Sequence, residues 1–297
     1  MSQIPVQENV NEIGKFHVNV ISEIGINHNG SMDLAKELIL LSKVAGADYV
    51  KIQKRNPEVC VPEAQKSKIR EPTPWTTPTN PTGKMTYIEY KRRMEFSEPE
   101  IKELVDYAKD HGIKFFASVW DCDSVDVMAK YCKIGKIPSA LITNLKLCAY
   151  AREKFDFLII STGMSTEMEI EKCVKVCKPD VIMHTNSTYP CPVEDLNLRY
   201  IEWLKEKYPQ AEIGYSGHEY GLVTSFATIG LGARWVERHV TLNRNMWGSD
   251  QQSSVEPSGL IKLVKGIRDL EKAMQYLPSP RRQFSKEDTK RQSLRKT

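Results

Sequence analysis

Short apolar runs alternate with stretches of helical period along most of this chain. Runs at 18–25, 48–53, 113–119, 155–162, 180–185, 211–217 and 234–240, with a weaker one at 136–138, read as strands. Helical patterns fall between them, near 32–45, 98–111, 122–132, 144–154, 166–177, 196–207, 220–231 and 258–276. Start and stop signals support several of these. Ser97 with Glu100, and Thr166 with Glu169, have the spacing of capping boxes. Gly46 and Gly112 stand where a helix C-terminus calls for a left-handed residue. Eight strands, each followed by a helix, predict an α/β fold of the closed parallel (β/α)8, or TIM, barrel type. The rival is a doubly wound open sheet, whose first strand usually runs into a Gly-rich phosphate loop. Here the first strand runs into EIGINHNG (23–30), which lacks the G-x-G-x-x-G spacing.

One connection breaks the rhythm. Residues 54–96 have no convincing period and carry six of the sixteen prolines, at 57, 62, 72, 74, 78 and 81. A loop that long in a compact domain is usually functional or unstructured. This one follows the second strand, so it is expected over the C-terminal mouth of the barrel as a substrate-covering lid, with Trp75, Tyr87 and Tyr90 packing it down.

The chemistry sits at the strand ends. In order these offer Glu23; Lys51 with Gln53; Ser118; Lys136 with Ser139; Ser161 with Thr162; His184 with Ser187 and Tyr189; Ser216 with His218; and Glu237 with His239. A barrel brings all of these ends to one face, where enzymes of this architecture act. Period-2 geometry puts Lys51 and Gln53 on one face of their strand, and likewise Ser216 with His218 and Glu237 with His239. A Lys inside an apolar strand costs several kcal/mol unless it is paired or meets a ligand. A single such Lys fits a structural ion pair. Two Lys among several Ser on converging ends fit an anion site suited to a phosphate plus a carboxylate. His218 and His239, on neighbouring strand ends beside Glu237, are the candidate ligands for a divalent metal ion, leaving positions open for water and substrate. His28, in a turn rich in Asn and Gly, receives no ligand role.

Composition narrows the class. The chain has 297 residues, 40% hydrophobic and 27% charged, with no run of 18 apolar residues and no apolar leader at the N-terminus. These values exclude collagen-like, disulfide-scaffold and wholly disordered chains, and no membrane partner is expected. Seven Cys, an odd number without any C-x-x-C, read as reduced thiols of a cytoplasmic protein. The net charge of +4 is uneven: residues 281–297 hold seven Lys/Arg against two acids, so the rest of the chain carries a net −1. That division gives a catalytic barrel over 1–280 and a basic tail or linker over 281–297. The tail lacks interleaved aromatics, so a solvated end is favoured over nucleic-acid binding.

At this point a resemblance emerges. SEIGINHNGS (22–31), VKIQ (50–53), ISTGMS (160–165), STYPCP (187–192), IGYSGHE (213–219), ERHVT (237–241) and GSDQQSSVEP (248–257) resemble the N-acetylneuraminate (sialic acid) synthase family. The resemblance spans residues 16–276 or so and implies a (β/α)8 barrel. It implies condensation of phosphoenolpyruvate with an amino-sugar aldehyde to a nine-carbon 2-keto acid and phosphate. It places phosphoenolpyruvate contacts on Lys51, Ser118, Lys136, Ser139, Ser161, Ser187 and Ser216. The metal ligands, for Mn2+ or a similar ion, would be His218 and His239, and sugar contacts would include Gln53, Tyr189 and Asp250. Glu23 would be the acid/base, with Lys51, Lys136 and Glu237 completing the catalytic set.

Three departures from the family pattern bear on this reading. Family members usually carry a small C-terminal antifreeze-like domain that supplies an Arg to the partner's sugar site and underlies a homodimer. Here the sequence is either a piece of a longer chain or a short form that closes its site otherwise. Leu141 stands where many members have Glu, and Ser187 where many have Asn. Two other functions compete with the synthase: a metal-dependent barrel hydrolase, and a non-catalytic sugar-binding remnant. The first has no use for two mouth lysines, and the intact set of Glu23, Lys51, Lys136, His218 and His239 speaks against the second.

Overall fold

A computed structural model describes residues 16–274 and 287–295. Eight strands form the barrel: β1 (Asn19–Gly25), β2 (Tyr49–Lys54), β3 (Lys114–Val119), β4 (Ile134–Ile137), β5 (Phe157–Ser161), β6 (Val181–Thr185), β7 (Glu212–Gly217) and β8 (Trp235–His239). They pair in parallel, each with its sequence neighbour, and β8 closes onto β1. The outer helices are α1 (Met32–Ala45), α2 (Glu98–Asp110), α3 (Cys122–Ala129), α4 (Leu145–Lys154), α5 (Glu167–Cys177), α6 (Tyr200–Lys207), α7 (Val223–Gly230) and α8 (Pro257–Ala273). The expected (β/α)8 barrel is therefore the fold.

Local signals explain the boundaries. Both expected capping boxes form, at Ser97–Glu100 and Thr166–Glu169. Gly46 and Gly112 adopt φ of +85° and +66°, the left-handed conformation that ends α1 and α2. The weak fourth strand begins two residues earlier than its apolar pattern suggested, and Ser139–Leu141 turn into a short 3-10 helix. Among the described residues no helix is long and apolar enough to cross a membrane. All seven cysteines are free. Of the basic tail, 281–286 and 296–297 lie outside the described residues, and Asp288–Leu294 form a short helix.

The Pro-rich connection is more ordered than its lack of period implied. It holds short helices at Pro57–Cys60, Glu63–Lys66 and Tyr87–Arg93, and a two-stranded ribbon of Ile69–Arg70 with Met85–Thr86. Its last helix starts at a Thr86–Glu89 capping box that the prolines had overshadowed. Trp75 and Tyr87 pack with buried Tyr90, Ile26 and Met94, as expected of these aromatics, and Trp247 joins them from the loop after β8. The Trp247 indole donates to the Pro72 carbonyl at 3.0 Å, tying the segment to that loop. Gly30 permits close approach of the β1–α1 turn: any Cβ there would strike the Arg93 carbonyl, and its φ is +75°.

Candidate active site

Strand register assembles the site. Glu23 on β1 lies in register with Lys51 on β2 and with His239 on β8. Gln53 aligns with Ser118 on β3, and Ser118 with Lys136 on β4. Across the ring, Thr185 on β6 aligns with Ser216 on β7, and Ser216 with Glu237 on β8. The inward faces are therefore layered. Tyr49, Phe116, Phe157 and Trp235 fill the lower bore, with ring centroids 5.3–5.8 Å apart between neighbours. Two residues further along, β2, β3 and β8 present Lys51, Ser118 and Glu237, whereas β5 first presents Ile159 and reaches the hydroxyl of Ser161 four residues on.

Those charges neutralise one another. Lys51 Nζ lies 2.5 Å from Glu23 Oε2 and 3.6 Å from Glu237 Oε1, and donates to Ser118 Oγ at 2.8 Å. Lys136 Nζ donates to both Glu237 oxygens, at 2.8 and 2.9 Å, and Ser216 Oγ donates to Glu237 Oε1 at 3.1 Å. The cationic cradle expected at the mouth is thus a buried quartet of two ammoniums and two carboxylates. Burial alone would raise the Glu237 carboxyl, but Lys136 and then Lys51 hold it down at about 2. Burial lowers Lys136, and Glu237 opposes that shift.

The imidazoles lie beside this quartet. The His218 Nδ1–H donates to the Asn186 carbonyl at 2.7 Å, which leaves Nε2 unprotonated in the neutral ring. Burial, with the neighbouring His239, pushes His218 down to about 3, so the neutral form holds at physiological pH. The two rings are 5.3 Å apart, and Tyr189 packs 4.0 Å from the first and 5.9 Å from the second. His239 Nδ1 is buried with no hydrogen-bond partner. Asp250 Oδ2 is 3.7 Å from that nitrogen. Among the described residues no three His, Cys, Asp or Glu cluster as a ready metal cage.

A cavity of about 220 Å3 joins these groups. It is lined by Glu23, Lys51, Gln53, Ser118, Lys136, Ser139, Ser161, Ser187, Tyr189, Ser216, His218, Glu237 and His239, so every expected site residue but Asp250 lines it. Ser139 Oγ accepts from the Gly163 N–H at 3.1 Å, whereas Ser161 Oγ is buried without a partner. His184 does not belong here: its Nε2 engages the Leu196 carbonyl at 2.7 Å and its ring packs on Tyr200 and Tyr215. Thr162 likewise turns to the Met183 carbonyl.

Three residues were missed by the strand-end reading. Trp120, just past β3, lines the cavity wall. Arg55, just past β2, is buried: its guanidinium donates to Gln53 Oε1, pairs with Glu95 at 2.9 Å and stacks 4.5 Å over Trp120. Period-2 alternation continued past Gln53 would have found it. Arg238, between Glu237 and His239, points the other way. It pairs with Glu219 at 3.0 Å and donates to the Gly221 carbonyl and Ser225 Oγ, both at 2.9 Å, tying β8 to the loop that carries His218.

Architecture and site together define a (β/α)8-barrel enzyme whose chemistry lies at its C-terminal mouth. Comparison with known proteins makes this particular. The chain matches the NeuB family over residues 38–277 and belongs to it as an enzyme. It is 37% identical over 276 residues to the N-acetylneuraminate-9-phosphate synthase of Mus musculus, covering 91% of this chain and 74% of that one. It is 35% identical over 263 residues to the N,N'-diacetyllegionaminic acid synthase of Campylobacter jejuni, covering 86% and 77%. The crystal structure of an N-acetylneuraminic acid synthetase from Leptospira borgpetersenii, in complex with citrate, superposes with a TM-score of 0.80 at 29% identity, covering 95% of this chain and 93% of that one.

Proposed function

We propose that this chain condenses phosphoenolpyruvate with an N-acetylmannosamine-like amino-sugar aldehyde, giving a nine-carbon 2-keto sugar acid and phosphate. The observation that carries this reading is the meeting of Lys51 and Lys136 with His218 and His239 on one cavity. The relatives named as N-acetylneuraminate-9-phosphate and legionaminic acid synthases support the same type of reaction.

Phosphoenolpyruvate brings a phosphate and a carboxylate. Lys51 and Lys136 would receive these anions as further partners, with hydroxyl donors from Ser118, Ser139, Ser161, Ser187 and Ser216. The unpartnered Ser161 Oγ is a donor free for this role. His218 and His239 fit a divalent ion such as Mn2+, because one presents a bare Nε2 and the other a buried, unpartnered Nδ1. Such an ion would act as a Lewis acid toward the open-chain aldehyde oxygen of the sugar. Gln53, Tyr189 and Asp250 would flank the sugar chain.

The new C–C bond forms between C3 of the enol and the aldehyde carbon, leaving cationic character at C2. Glu23, steadied by Lys51 at 2.5 Å, accepts one proton of the water that adds at C2, and an equivalent proton is taken up by the former aldehyde oxygen as it becomes a hydroxyl. Collapse of the tetrahedral species breaks the C–O bond and expels phosphate. The test mixes purified protein with Mn2+, phosphoenolpyruvate and N-acetylmannosamine or a related amino sugar, and follows phosphate. Release that requires both substrates is expected. Release from phosphoenolpyruvate alone, or none with any amino sugar, overturns the reading.

A further inference from the structure

Gln53 lies between two groups of opposite hydrogen-bonding character. On one side the Arg55 guanidinium donates to its Oε1, and on the other its Nε2 donates to Glu23 Oε1 at 3.5 Å. A guanidinium offers only donors, and an ionised carboxylate only acceptors. The amide therefore has one satisfied orientation. Turned over, its NH2 group would meet the guanidinium N–H groups and its oxygen would meet the carboxylate, so both contacts would repel.

Arg55 is itself held from several directions. Its Nε lies 2.9 Å from Glu95 Oε1, its backbone N–H donates to Glu95 Oε2 at 3.0 Å, and its guanidinium lies 4.5 Å over the Trp120 ring. Lys54 secures Glu95 in turn, with Nζ 3.4 Å from Oε2 and a donation to the Phe96 carbonyl at 2.9 Å. The far end of the segment 54–96 thus closes back onto the strand end that starts it. Glu23 and Gln53 line the substrate cavity, whereas Arg55 lines a neighbouring cavity that shares Trp120 with it.

We infer that Arg55 is a positioning residue for the condensation: it fixes the Gln53 amide so that the NH2 group, not the oxygen, faces Glu23 and the acceptor sugar. This rests on the synthase reading above, in which Gln53 flanks the sugar and Glu23 serves the water. One N–H of Gln53 steadies Glu23 Oε1, while Lys51 steadies Oε2 at 2.5 Å. The second N–H is left for the sugar, so the sugar atom that meets Gln53 is an oxygen accepting a hydrogen bond.

Three variants test this. Arg55→Met removes the donors, Arg55→Gln supplies an amide that can accept as well as donate, and Arg55→Lys keeps a donor-only cation. In substrate-free protein labelled with 15N-glutamine, the Gln53 side-chain amide is assigned by its loss in Gln53→Ala. Its protons are expected to exchange with water about 10-fold faster in Arg55→Met and Arg55→Gln, and near the wild-type rate in Arg55→Lys. With phosphoenolpyruvate and Mn2+, KM for N-acetylmannosamine should rise about 10-fold in Arg55→Met, while KM for phosphoenolpyruvate stays within about twofold. In the Gln53→Ala background the same substitution should add nothing, because Arg55 acts through the amide. An additive loss in that background overturns the inference. So do equal losses for both substrates without recovery in Arg55→Lys, or amide exchange unmoved by both Arg55→Met and Arg55→Gln. If the wild type turns over no amino sugar, the synthase reading falls, and amide exchange alone decides whether Arg55 fixes Gln53.

Discussion

Lys136 and Glu237 stand on opposite staves of the barrel, β4 and β8, yet the ammonium reaches both carboxylate oxygens across the bore, at 2.8 and 2.9 Å. Both groups are buried, so each is expensive to leave alone. Lys136→Met should lower the unfolding free energy by about 3–5 kcal/mol. The loss falls toward the lower figure because Lys51 and Ser216 still serve Glu237. Lys136→Met/Glu237→Met should recover most of it. Urea unfolding of the single and double variants measures both values.

Acid stability should report the same pair. The folded carboxyl of Glu237 sits at about 2, below its ordinary 4.5, so its contribution is complete above about pH 5 and disappears as pH falls toward 2. Glu237→Gln should flatten the dependence of the urea midpoint on pH across that window. An unchanged slope would show that the pair does not set acid stability.

Glu23→Gln should fold normally, because the amide can still accept from Lys51. Turnover should fall about 10²-fold or more, the usual contribution of a positioned acid/base, while KM for phosphoenolpyruvate moves less. Near-normal kcat would remove Glu23 from the proton step.

Chelation should abolish activity, and Mn2+ should restore it. His239→Ala and His218→Ala should each weaken Mn2+ binding by more than the roughly 10- to 100-fold that losing an outer-shell partner costs. Titration calorimetry on the chelated protein reads this directly, and wild-type affinity in both variants would dismiss the imidazole pair as ligands.

Gly163→Ala tests how tightly the anion donors are set. A Cβ at this position would press on the hydroxyls of Ser139 and Ser187. The expected result is a rise in KM for phosphoenolpyruvate and a fall in kcat/KM of up to about 10²-fold. Retention of both constants would mean that these hydroxyls do not touch substrate.

Much of this molecule was legible in the chain. The period-2 faces of Lys51–Gln53, Ser216–His218 and Glu237–His239 hold in the structure, where all six side chains line one cavity, because successive side chains of a strand alternate between its two faces. His184 misled for the same reason: it ends an apolar strand, but it occupies the outward parity and turns to Leu196. The neutral quartet was not legible, since sequence gives the parity of a strand position but not the depth at which a side chain from the opposite stave arrives. The segment 54–96 hid its helices because the cluster that holds it includes Trp247, more than 150 residues further along.

Arg238 carries a last consequence. It alternates with Glu237 and His239 on one strand, and its outward grip on Glu219 fixes the loop that bears the other imidazole. A lesion such as Glu219→Ala, wholly outside the substrate cavity, would therefore slacken both jaws of the vice at once. Remoteness from the reacting atoms gives this enzyme no margin along that strand.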